Sequence, residues 1–148
     1  CSFFQFLFHL CESMIRSVAV IGEDNAPLYT KVFHDAGEDE TIRFLFIAHG
    51  ALDIIEEKSS SSSSGIDMFL GLLYPTDNFQ VYGYVTNTKT KLVVVTDDSD
   101  VKDIDVKNLT RRIHSILVDA LCDPFYKLGE PIKSSRFENA LIKLVKTF

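Results

Sequence analysis

Residues 68–92 read MFLGLLYPTDNFQVYGYVTNTKTKL, three apolar runs separated by two short polar turns. Pro and Asp/Asn in Pro75-Thr76-Asp77-Asn78 preset the first bend, and Asn87-Thr88-Lys89-Thr90 makes the second. The aromatic and β-branched residues between them favour pleated, half-buried strands. This pattern predicts a three-stranded antiparallel meander, and the rest of the chain must then cover it.

The flanking segments supply further strands and the cover. Residues 17–21 (SVAVI) read as a buried strand, 23–27 as a turn and 28–33 as a second strand. A helix is expected over about 41–58, with Phe44, Ile47, Ala48, Ala51, Leu52 and Ile55 at the three- and four-residue spacing of one buried stripe. Residues 59–65, six serines and a glycine, read as a surface loop. The last strand of the meander is placed at 92–96.

Beyond it, the acidic stretch 97–105 leads into a second helix with the stripe Val106, Leu109, Ile113, Ile116, Leu117 and Ala120, which must stop before Pro124. A third helix is predicted from Ser135, with Ser135 and Glu138 as a capping box and Phe137, Ala140, Leu141, Leu144, Val145 and Phe148 as its stripe. The expected fold class is α/β of the α+β kind: a five-stranded antiparallel sheet flanked by three helices, in the order β-β-α-β-β-β-α-α.

A length of 148 residues suits one domain, and 46% hydrophobic residues provide for its core. The formal charge of −6, with dispersed basic residues, gives no footprint for nucleic acid. Three cysteines without a CxxC pair make neither a disulfide framework nor a zinc site, so a reducing, cytoplasmic setting is expected. Residues 1–13 (CSFFQFLFHLCES) are read as an N-terminal extension outside the fold, with a single domain over 14–148. Their apolar run is too short to span a bilayer, and an interfacial anchor would lack basic flanks.

No catalytic constellation emerges. His9, His34, His49 and His114 lack metal-ligand spacing, and there is no nucleophile elbow, phosphate-binding glycine pattern or EF-hand loop. The expectation is a chain that is not an enzyme and needs no cofactor or metal. A small hydrolase would require a polar pocket lined by His49 or by the acids of 97–105.

Three places suggest contact with a partner. At about 100° per residue, Phe46 and Asp53 lie close in angle on the first helix, opposite its buried stripe, with His49 and Glu57 beside them. An aromatic residue on that face either touches a neighbouring loop or forms a docking strip. Between the last two helices, Phe125 and Tyr126 read first as a plug pinning the connection to the core, and second as a partner contact. Tyr82 and Tyr84 share one strand face; they are core if helices cover both faces of the sheet, and docking surface if one face is open.

Four segments in order carry a family resemblance: SVAVIGEDNAPLY at 17–29, FIAHGALDIIEEK at 46–58, LGLLYPTDNFQVYGYVTN at 70–87, and CDPFY at 122–126 followed by GEPIKSSRF at 129–137. Together they resemble the sedlin-like (subunit 2-like) small subunits of the TRAPP vesicle-tethering complex, in the sedlin/longin superfamily. The family usually has Asn where Asp123 stands, and the serine tract replaces a more varied connection. The resemblance implies a longin-like fold and a non-catalytic adaptor role in ER-to-Golgi and Golgi traffic. It implies other TRAPP subunits as partners, both Bet-type core subunits and a larger peripheral one, and indirectly a Rab-family GTPase, with the chain held peripherally at those membranes. It also marks Asp53 as the acid of the family's Ala-Leu-Asp triplet. Sedlin proper, or a free-standing regulatory longin domain serving another trafficking complex, is the alternative reading.

Overall fold

The computed structural model describes residues 15–33, 38–61, 69–75, 79–97, 102–127 and 129–146. Among these, the strands are β1 (Ile15–Ile21), β2 (Pro27–Val32), β3 (Phe69–Pro75), β4 (Phe79–Val85) and β5 (Lys91–Asp97). The helices are α1 (Glu38–Ser61), between β2 and β3, and α2 (Asp103–Leu121) and α3 (Ser135–Lys146), after β5. The expected order is observed. The extension 1–13, residues 76–78 of the first meander turn, Ser62 to Gly65, Asp98 to Asp100, His34 and Phe148 lie outside the described residues.

All pairings are antiparallel, and the sheet order is β2-β1-β5-β4-β3. The meander is therefore joined to the N-terminal hairpin by β1 against β5, with Val18 opposite Val94 and Val20 opposite Leu92. Strand alternation then sorts the side chains into two cores. Val18, Val20, Tyr82, Tyr84, Leu92 and Val94 face α2 and α3, meeting Ile113, Leu117 and Leu141. Ala19, Ile21, Val81, Val93 and Val95 face α1, meeting Phe44, Ala48, Ala51 and Ile55. Each fully buried aliphatic side chain contributes roughly 1.5–3 kcal/mol, so the two layers together are the main source of stability.

Both hairpin turns on the β1/β5 end have one design. Gly22 N–H bonds Ala26 O at 2.9 Å and Asn25 N–H bonds Gly22 O at 3.0 Å; Thr86 N–H bonds Thr90 O at 2.9 Å and Lys89 N–H bonds Thr86 O at 3.0 Å. Each loop of three residues ends in a left-handed residue, Asn25 or Lys89, both at φ 63°. At the opposite end of β1, Arg16 pairs with Asp97 on β5.

Helix ends differ from the sequence reading in three places. α1 begins three residues before Thr41, with Glu38, Asp39 and Glu40 in its first turn where the helix dipole favours acids. It also continues through Ser59, Ser60 and Ser61, so the serine tract does not begin as a loop: propagating a helix already anchored on the sheet is easier than starting one. The capping box at Ser135 is corrected to a cap at Ser134, whose Oγ accepts the Phe137 N–H at 3.3 Å. Glu138 turns away from the helix start and pairs with Lys31 on β2 at 2.9 Å.

Gly83 in the middle of β4 marks a close approach. A Cβ there would lie 2.9 Å from Leu73 Cδ1 and 3.0 Å from Cδ2, and Leu73 is itself packed in the α1 layer. Gly83→Val is expected to destabilise the fold by about 1–3 kcal/mol in urea unfolding through overpacking. A loss under about 0.5 kcal/mol would show that Leu73 and α1 yield freely, contrary to a tightly filled layer.

Candidate docking surface

The buried stripe of α1 fixes which of its residues face outward. Phe44 stacks edge-on with Phe79 at 5.3 Å, and the Arg43 guanidinium sits 5.6 Å above the same Phe79 ring. Lys58 Nζ donates to Leu72 O at 3.0 Å, tying the C-terminal part of α1 to β3. Glu56 Oε1 accepts from Asn25 Nδ2 at 3.2 Å and lies 3.8 Å from the Lys91 ammonium, which also bonds Asn25 Oδ1. The helix is thus held to three strands and to the β1–β2 turn, so its outer face has a defined position.

That face carries Phe46 at 73% exposure, with His49, Asp53 and Glu57 all exposed. The structure brings these four residues onto one strip, and Phe46 stands in solvent rather than under a loop. Ile42, 51% exposed and one turn before Phe46, extends the strip and was missed in the sequence reading. Its place four residues N-terminal to Phe46 was the available signal. A contiguous Ile42–Phe46 apolar pair flanked by Asp53 and Glu57 has the make-up of an interface centre with a charged rim.

The docking reading of Tyr82 and Tyr84 is corrected. Helices cover both faces of the sheet, and these rings are 1% and 4% exposed. The Tyr82 hydroxyl reaches Gln80 Oε1 at 3.0 Å and Asp103 Oδ1 at 3.3 Å, tying β4 to the first turn of α2; burial and then Asp103 push its pKa up. The Tyr84 hydroxyl is 3.1 Å from His114 Nδ1, and the two rings lie 5.5 Å apart.

Phe125 and Tyr126 part company. Tyr126 is half-buried against the α2–α3 core and donates its hydroxyl to Glu130 O at 2.7 Å, which pins the connection. Phe125 is no plug: it is 92% exposed. Asp123 Oδ1 accepts the Phe125 N–H at 3.0 Å while Asp123 O accepts the Tyr126 N–H at 3.0 Å, a local turn that sends the two rings in different directions.

A cavity among the described residues is lined by His114 and not by His49, Asp97, Asp103 or Asp105. Among the described residues, no three His, Cys, Asp or Glu side chains come together to hold a metal ion. No helix among them is long and apolar enough to cross a membrane.

Burial holds His114 below the ordinary histidine value of 6.5. The unfolded chain therefore takes up a proton that the folded chain refuses, so stability is complete above that value and is lost as pH falls from it through the folded pKa. An NMR titration should place the His114 midpoint below 6.5. Stability should also fall less between about pH 7 and 5 in His114→Gln than in the native chain. A midpoint at or above 6.5 would contradict a half-buried ring whose charged form is disfavoured by lost solvation.

Comparison with known proteins adds a sequence-wide result. The family model described as Sedlin matches residues 20–147. The trafficking protein particle complex subunit 2-like protein of Xenopus tropicalis is 37% identical over 138 residues, covering 89% of this chain and 97% of that protein. The protein of the same name from Dictyostelium discoideum is 41% identical over 134 residues, covering 88% and 96%. The one from Bos taurus is 36% identical over 138 residues, covering 89% and 97%.

Proposed function

The chain belongs to the Sedlin family, and from that premise we propose that it is a non-catalytic adaptor subunit of a trafficking protein particle (TRAPP) complex, docking through the outer face of α1. The observation that carries the docking surface is Phe46: a large ring at 73% exposure on a helix whose opposite face is fully engaged with the sheet. Leaving it in water forgoes the burial free energy of an aromatic side chain, which a partner would recover. Asp53 and Glu57 on the same strip supply a charged rim that sets register and excludes wrong partners.

In this reading the chain joins Bet-type core subunits to a larger peripheral subunit. Exchange on a Rab-family GTPase belongs to the assembly, which is where a chain built as two packed layers around a sheet would contribute by position. Its place is at ER–Golgi and Golgi membranes, held there through the complex.

Affinity purification of the tagged chain from cells tests this. The native chain is expected to recover trafficking protein particle subunits. Phe46→Glu and Asp53→Arg should each recover about tenfold less, the effect of losing an interface anchor. Undiminished recovery with both variants would retire the α1 strip, and recovery of no such subunit by the native chain would overturn the adaptor reading.

A further inference from the structure

The second exposed apolar region lies on the other side of the sheet from α1. There the β1–β2 turn, the β4–β5 turn and the C-terminal half of α2 surround an open cavity of about 1020 Å³. Its apolar wall comes from Leu28, Leu117, Val118, Leu121 and the half-buried Tyr126. Val118 is 44% exposed and stands at the rim of the cavity, one residue on from the fully buried Leu117 that forms its floor. Two side chains that line the cavity, Cys122 and Tyr126, bracket Phe125, the most exposed large apolar residue described.

The charge of the cavity is one-sided. Glu23 and Asp24 stand on the β1–β2 turn, and no Lys or Arg is among the described residues that line the cavity. An anionic lipid surface or a nucleic acid would be repelled by those acids. The turn that carries them is held in place: Asn25, their neighbour, is bonded to Glu56 and Lys91, which fixes the acids relative to the apolar wall. The size is at the upper end for small-molecule sites, and the open form suits a chain segment better than an enclosed ligand.

We propose that this cavity is a second docking site, which takes an apolar segment of a partner protein bearing a Lys or Arg where the segment meets Glu23 and Asp24. The site is separate from the α1 strip and does not rest on it. Because α1 covers one face of the sheet and α2 the other, both sites can be filled at once, and the chain is bivalent.

Site-specific photocross-linking in cells tests both sites separately. Benzoylphenylalanine is placed at Val118 in one chain and at Phe46 in another, with Phe125 as a second probe position should the Val118 chain fail to fold. The cross-linked segment is then sequenced by mass spectrometry. The cavity probe is expected to mark a partner segment that is apolar and has a Lys or Arg within a few residues. Glu23→Lys should lower that yield by about threefold or more while leaving the Phe46 cross-link unchanged. Cross-links only within this chain, to a second copy, to lipid or to an acidic segment would overturn the proposal, as would a yield indifferent to Glu23→Lys. Silence of the cavity probe while the Phe46 probe reacts would remove this site and leave α1 standing. The reverse would remove α1 and leave the cavity, and silence at both would remove both.

Discussion

β1 crosses the sequence to pair with β5, and the two hairpin halves of the sheet exist as one layer only because of that pairing. The residues involved are buried on both faces: Val18, Val20, Leu92 and Val94 toward α2 and α3, and Ala19, Ile21, Val93 and Val95 toward α1. A one-residue slip would exchange the two sets and present the small Ala19 to the wider α2–α3 layer. The register thus decides which helix meets which face. It also sets the two three-residue turns side by side, where Asn25 and Lys91 can bond. The outer strip of α1 and the cavity are both consequences, one displayed by the helix on the first face and the other opening at the turn end of the second.

Those two surfaces have different physical origins. The α1 strip is the residue of amphipathicity: once Phe44, Ala48, Ala51 and Ile55 are buried, Phe46 and Asp53 must point out. The polar ties of Lys58 to Leu72 O and of Glu56 to Asn25 then keep the helix from rolling to hide Phe46. The cavity arises from a mismatch in reach, because α2 ends at Leu121 and the chain turns through Asp123 before α3 begins at Ser135. The space between that connection and the two hairpin turns is not filled by a helix.

The periodic features were legible in the sequence and the assembled ones were not. The meander, the stripes of the three helices and the outward position of Phe46 and Asp53 follow from local spacing, which needs no knowledge of the partner element. Tyr82 and Tyr84 share a face by the same logic, but alternation cannot say whether that face is covered, and α2 and α3 decide it. The cap at Ser134 was misread by one residue because Ser134 and Ser135 are adjacent and Glu138 suited a box from Ser135; only the pull of Lys31 on β2 separates the two. Phe125 was misjudged because a proline-aromatic pair after a helix reads as a plug, whereas the Asp123 turn admits only Tyr126 to the core. The cavity combines residues from 22 to 129, so no window of sequence could show it.

Hydroxyl-radical footprinting of Phe46 in the free chain and in the native complex purified through it is the most direct test of the account. A docking strip on α1 requires water to be excluded from the ring on assembly, so Phe46 oxidation should fall by about fivefold or more in the complex, with Ile42 following it. Phe46 oxidised at the same rate in both states would contradict the claim that the outer face of α1 is where this chain is held.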